Sequence, residues 1–162
     1  MIGEKMLKAL NKQMNIESYN AYLYLSMSAY YESINLSGFA HWMHVQFKEE
    51  QGHAKKIYDH INERMARITV TGIDAPPVEW KSPLDAFEAA YNHEVKVSGM
   101  IDELVELAKK EKDNAALLML QWFVNEQVEE ENSTGSIVEK LRMIGDNKGA
   151  LFMLDSVLGK RE

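Results

Sequence analysis

A chain of 162 residues is one domain by length and can bury most of the surface its unfolded form exposes. With 18 Lys and Arg against 25 Asp and Glu, the formal net charge of −7 argues against non-specific nucleic-acid binding, so no nucleic-acid partner is expected, and suits cations instead. The absence of cysteine excludes disulfides, thiolate zinc sites, iron–sulfur clusters and covalently attached haem.

In chain order, the opening Met-Ile-Gly-Glu-Lys-Met-Leu-Lys turns charged at once and lacks the apolar core of a signal peptide. No run approaches ~18 apolar residues, so a soluble cytoplasmic protein without a membrane partner is expected. The first helix is predicted from about Ile2 to Ser33, with a heptad stripe of Leu7, Leu10, Met14, Glu17, Ala21, Tyr24, Ser28 and Tyr31. Glu17 sits in its middle. A break at Asn35 to Gly38 leads into a second helix over about 38–64, and so short a turn makes the two antiparallel. Its stripe reads Phe39, Trp42, Met43, Phe47, Glu50, His53, Ala54, Ile57 and Ile61, an apolar face interrupted by an acid and an imidazole three residues apart. An ionised carboxylate in such surroundings costs several kcal/mol unless it is paired, protonated or bound to a metal.

From Met65 to Pro83 the helical pattern stops, because Pro76, Pro77 and Pro83 forbid a continuous helix. A linker of ~18 residues reaches up to ~60 Å, longer than the ~40 Å of a ~27-residue helix, so it can run the length of a bundle and leave the second and third helices parallel. Ser82 followed by Pro83 reads as an N-cap with proline at the first helical position. The third helix, about 83–111, carries Leu84, Phe87, Ala90, Tyr91, Glu94, Val97, Ile101, Leu104, Val105 and Ala108 on its inner face. The fourth, about 114–144, carries Ala116, Leu120, Phe123, Gln127, Glu130, Thr134, Ile137, Leu141 and Ile144. A short apolar fifth helix over 149–158 is expected to pack at one end of the bundle or in an oligomer interface.

An offset of 77 residues maps Glu17 onto Glu94, Glu49 onto Glu126, Glu50 onto Gln127 and His53 onto Glu130. Two helix pairs related by a pseudo-two-fold would bring these groups to one level inside the bundle. The expected cluster is Glu17, Glu50, His53, Glu94, Gln127 and Glu130, a mostly oxygen donor set with one imidazole. Such a set suits iron or manganese better than copper, and bridging carboxylates favour two ions ~3.5–4 Å apart. Dinuclear carboxylate bundles use one Glu from each of two helices plus two Glu-x-x-His motifs, of which only Glu50-Gln-Gly-His53 is intact here. A single Glu on a Glu-rich helix is ordinarily a solvated surface group; six polar groups at matched levels on four apolar stripes are not. Tyr24 is either a core tyrosine binding a ligand carboxylate or a redox group. Trp122 reads as packing, and His41, His44, His60 and His93 as surface or structural residues off the cluster.

Glu17, Tyr24, Glu49-Glu50-Gln-Gly-His53, Glu94 and Trp122-Phe-Val-Asn-Glu-Gln127-Val-Glu-Glu-Glu, with Ala40-His-Trp-Met upstream and Pro76-Pro-Val-Glu-Trp80 in the linker, resemble the prokaryotic non-haem ferritins over essentially the whole chain. The resemblance implies an all-α, ferritin-like four-helix bundle with a long crossover between helices 2 and 3 and a short C-terminal fifth helix, as one domain over 1–162. It implies a subunit that self-associates into a hollow, usually 24-subunit shell, oxidises Fe(II) with O2 or peroxide at a two-iron ferroxidase centre, and stores the Fe(III) as mineral. Glu17, Glu50 and His53 match the ligands of the first iron, with Glu50 bridging; Glu94 and Glu130 match those of the second. Gln127 matches a residue that hydrogen-bonds near bound O2 or a water. Glu49, Glu126 and Glu129, with Glu130, match a more weakly held third iron site, and Tyr24 a tyrosine that supplies an electron.

Departures from relatives carry expectations too. Gln127-Val-Glu-Glu130 replaces the second Glu-x-x-His of bacterioferritins, and Gly52 stands where their haem-ligating methionine is expected, so no haem is expected. Leu117 and Leu120 fall where animal ferritins have acidic three-fold channels, and Gly135 should weaken the fourth helix. The other reading of the same ligands is a non-storage diiron oxidase or peroxidase. Such an enzyme usually needs a substrate cavity, which Phe47, Tyr91, Trp122 and Phe123 are expected to fill.

Overall fold

Five helices and no strand make up the computed structural model, which describes all 162 residues: α1 (Glu4–Ser33), α2 (Ser37–Glu63), α3 (Pro83–Lys110), α4 (Asn114–Ile144) and α5 (Lys148–Leu158). The sequence placed each boundary within two residues. α1, α2 and α3 each stop just before a left-handed residue, Asn35 (φ 59°), Met65 (φ 54°) and Lys112 (φ 55°). Such a residue turns the chain out of the helix and satisfies its last carbonyls. Asn35 and Lys112 are separated by the 77 residues of the internal repeat, which therefore extends to the backbone of the two hairpin turns. At the start of α3 the Ser82 hydroxyl accepts from the Asp85 amide at 3.0 Å, with Pro83 in the first turn. No helix is long and apolar enough to cross a membrane.

The linker is lashed to α1 in ascending order. The Thr69 amide donates to the Asn11 side-chain oxygen at 2.7 Å, Asn15 Nδ2 to the Gly72 carbonyl at 3.0 Å, and the Ser26 hydroxyl to the Pro77 carbonyl at 2.6 Å. Tyr31 then donates to the Pro83 carbonyl at 2.7 Å. α3 thus starts beside the C-terminal end of α1, runs antiparallel to it, and lies parallel to α2 as the linker length predicts.

The apolar interior is divided. One cluster contains Tyr24, Tyr31, Phe39, Met43, Phe87 and Ile137; the other contains Leu10, Ile57, Val97, Leu120 and Phe123. On all four long helices the polar positions of the predicted centre fall between members of the two clusters. α1 buries a wider arc than its heptad stripe suggests, adding Met6, Gln13, Asn20, Leu23, Met27 and Tyr30, because it is covered by the linker as well as by α2 and α3. Two expectations are corrected. Of Phe47, Tyr91, Trp122 and Phe123, only Phe123 is fully buried. Leu120 lies wholly inside the core and cannot face a channel; the exposed leucine of that turn is Leu118. Gly135 does not interrupt α4. A Cβ there would lie 3.2 Å from the Tyr91 ring, so the glycine lets that ring lie against the helix.

α5 packs on the start of α2 and the end of α4. α2 has no side-chain cap of its own; the Asp155 carboxylate on α5 accepts from the Phe39 amide at 3.0 Å. The contact leaves no room, since a Cβ on Gly38 would sit 1.8 Å from the Asp155 carbonyl oxygen. Gly38→Ala is therefore expected to destabilise the subunit by about 3–5 kcal/mol in denaturant unfolding, with α5 displaced. A variant within about 1 kcal/mol of the native protein would mean that α5 does not seat there. On its far side α5 leaves Phe152, Met153 and Val157 exposed.

Candidate metal centre

Glu17, Glu50, His53, Glu94, Gln127 and Glu130 are all buried, none more than 5 % exposed. Helical spacing puts them there: Glu50 with His53, and Gln127 with Glu130, each stand three residues apart on an inward stripe. Donor atoms of Glu17, Glu50 and His53 lie within 4.8 Å of one another, as do those of His53, Glu126 and Glu130. His53 is the shared corner, its Nδ1 3.3 Å from Glu50 Oε2 and its Nε2 3.6 Å from Glu126 Oε1. Its ring stands edge-on to Trp122 and Phe123, with centroids 5.4 and 6.0 Å away. Glu94 joins from α3, taking the Tyr24 hydroxyl on one oxygen and Gln127 Nε2 on the other at 3.2 Å.

The outer residues are again brought to different places. Glu126 reaches His53; Glu49 is half-buried and paired with Arg161 by a 2.5 Å contact; Glu129 is exposed and makes none of the hydrogen bonds that tie the centre together.

Amides hold the carboxylates. Gln13 Nε2 donates to Glu17 Oε1 at 2.7 Å, and Asn20 Nδ2 donates to Glu17 Oε2 at 2.8 Å and Glu50 Oε2 at 3.3 Å. Gln46 Nε2 donates to Glu130 Oε2 at 2.6 Å. The Asn20 amide is itself oriented by His93, whose Nε2 lies 2.7 Å from Asn20 Oδ1; an amide oxygen only accepts, so this nitrogen carries the hydrogen. Burial, aided by Lys96, lowers the His93 pKa to about 4 and keeps the ring neutral. No buried side-chain nitrogen or oxygen lacks a hydrogen-bond partner. The sequence reading overlooked Gln13, Asn20 and Gln46 and set His93 apart from the cluster. The signal was present as spacing, since Gln13 and Asn20 stand four and three residues from Glu17, and Gln46 four residues before Glu50.

Electrostatically the buried carboxyls oppose one another. Burial first, and then the charge of Glu50, raises the Glu17 carboxyl well above its ordinary range; burial and Glu94 do the same to Glu50. Glu94 is raised by burial, and Glu130 reaches about 9 through burial, Glu94 and Glu50. Burial and the neighbouring Glu94 also hold Tyr24 well above its usual value, as a phenol. These acids resist sharing negative charge without a cation, and their oxygen-rich donor set with one imidazole could hold a divalent metal ion.

Residues 7–144 match a family model described as a ferritin-like domain. A bacterial non-heme ferritin of Bacteroides fragilis is 45% identical over 161 residues, covering 99% of this chain and 100% of the relative. One of Staphylococcus aureus is 37% identical, with 99% and 97% covered. Among solved structures, an open pore ferritin from the hyperthermophilic archaeon Archaeoglobus fulgidus superposes with a TM-score of 0.99 at 54% identity, over 100% of both chains.

Proposed function

The chain belongs to the ferritin family, and from that membership and its buried acid–imidazole centre we propose that it is an iron-storage subunit that oxidises Fe(II) and holds the Fe(III) as mineral inside an oligomeric shell. One observation carries the proposal: six polar groups from four helices meet between two apolar clusters, with carboxyls whose burial and crowding oppose ionisation unless a cation balances them. Glu17, Glu50 and His53 hold one ferrous ion, and Glu94 and Glu130 the other, with Glu50 between them. Each ion gives up one electron. Dioxygen takes both, with two protons, and leaves as hydrogen peroxide; the ferric product hydrolyses to oxyhydroxide and releases protons. Carboxylates favour Fe(III) over Fe(II), which lowers the potential and drives the oxidation.

Gln127, hydrogen-bonded to Glu94, is placed to orient dioxygen or a water beside the second ion. Tyr24 fixes Glu94 by donating its hydroxyl hydrogen to that carboxylate. Glu49, Glu126, Glu129 and Glu130 make a third, weaker ion position. The exposed Phe152, Met153 and Val157 face supports association with further copies, into a shell of 24 subunits in the cytoplasm.

Aerobic addition of Fe(II) to the metal-free protein is expected to give a soluble amber product within a particle far larger than a dimer. A solution mass near one or two subunits, with oxidation intact, would favour a diiron oxidase that stores nothing. Failure to oxidise Fe(II) faster than buffer would remove the proposal altogether.

A further inference from the structure

The C-terminal residues return to the centre. Beyond the end of α5, the Arg161 guanidinium lies over the Trp42 ring, 4.3 Å from its centroid, and the Arg161 carbonyl accepts from His41 Nε2 at 2.7 Å. From this perch Nη2 donates to Glu49 Oε2 at 2.5 Å and Nη1 to Gln46 Oε1 at 2.8 Å. With its oxygen on the arginine, Gln46 presents Nε2 to Glu130. One guanidinium therefore touches one acid directly and orients the partner of a second, buried one. Nothing in the two-ion chemistry requires it.

We propose that Arg161 is the resident counter-cation at the Glu49 edge of the centre, a guanidinium that a third divalent ion must displace from Glu49 in order to bind. This rests on the two-iron reading above. The guanidinium occupies a Glu49 oxygen that an ion would need, and two cations a few ångströms apart repel. Displacement is feasible because both partners are partly open, with 23% of the Arg161 side chain and 39% of the Glu49 side chain exposed, so the guanidinium moves into water without becoming a buried unpaired charge. Release of Gln46 at the same moment frees the amide that holds Glu130, coupling arrival of the third ion to a ligand of the second. The arginine keeps the third position weak, as befits an ion passing through.

The test is an anaerobic calorimetric titration of metal-free, full-length protein with Zn(II), which carries no redox chemistry. The event missing from Glu49→Gln defines the third position. Arg161→Met keeps a chain over Trp42 and removes the charge; it is expected to tighten that event about tenfold while keeping the two tight equivalents. Arg161→Lys keeps the positive charge but not the planar fork, and should tighten the event by less than Arg161→Met does. An unmoved third event in Arg161→Met, or an equal gain in Arg161→Lys, would overturn the proposal. A crystal of the native protein soaked in Zn(II) gives a reading free of substitutions: Arg161 should have left Glu49 wherever the third ion is bound, and both found together on Glu49 would overturn it. Absence of the two tight equivalents from native protein strikes the two-iron reading, whereas displacement of Arg161 is judged on the Glu49-dependent event alone.

Discussion

Glu50→Gln is expected to slow Fe(II) oxidation by about 100-fold or more while making the iron-free protein more stable by about 1–3 kcal/mol. Both effects have one cause. Burial, and then the charge of Glu94, raise the Glu50 carboxyl well above its usual range, and Glu50 in turn raises Glu17. An amide of the same shape removes an acid that the empty site tolerates poorly, and with it one of the two oxygens through which Glu50 is proposed to bridge the ions. His53→Ala provides the contrast. It should lose oxidation as severely, yet destabilise the iron-free protein by about 2 kcal/mol, because it leaves a void against Trp122 and Phe123. Stopped-flow absorbance of the ferric product, calorimetry of iron-free protein and a sizing column measure the three quantities. Fast oxidation in Glu50→Gln would place the reaction elsewhere, and loss of assembly would show the residue to be structural.

Glu130→Gln should reveal a pH dependence opposite to that of a surface carboxylate. The folded pKa of about 9 lies above the ordinary 4.5, so the unfolded chain ionises first as pH rises. Stability associated with protonated Glu130 is fully present below about pH 4.5 and is lost progressively as pH rises toward 9. At pH 7 that loss is about 3 kcal/mol, from 1.36 kcal/mol per pKa unit over the interval from the ordinary value of 4.5. The neutral variant lacks this penalty. Its stability relative to native, near zero at about pH 4.5, should therefore grow with pH by that amount, as measured by denaturant unfolding of iron-free protein. A difference that stays constant across the range would mean that Glu130 is ionised in the empty site. Loading with Zn(II) should abolish the pH dependence and release protons, because the ion replaces them.

The buried polar groups of the centre were legible because a bundle imposes two simple constraints. Inward stripes repeat every three or four residues, so Glu17, Glu50, His53, Glu94, Gln127 and Glu130 betray themselves as polar interruptions, and the 77-residue repeat sets them at one level. The linker's length and prolines similarly fixed the direction of α3. What stayed hidden depends on which helices face each other. Gln46 holds Glu130 across 84 positions, His93 reaches Asn20 across 73, and Arg161 reaches Glu49 across 112; no periodicity encodes such pairings. The stripe alone also could not tell a fully buried aromatic, Phe123, from the half-buried Phe47, Tyr91 and Trp122, because burial at an edge of a stripe is set by the neighbouring helix.

The lashed linker has a further consequence for the order of folding. α1 packs chiefly on α2, and α3 on α4, each pair joined by a turn of a few residues, whereas the two hairpins are joined only by the long segment over 64–82. Local pairs close faster than distant ones, because less chain entropy is lost before contacts form. Each hairpin brings half of the centre, Glu17, Glu50 and His53 in one and Glu94, Gln127 and Glu130 in the other. Desolvation of the facing carboxyls therefore falls on the late step in which the hairpins dock. Divalent ions present during refolding should accelerate that docking and leave formation of each hairpin unchanged.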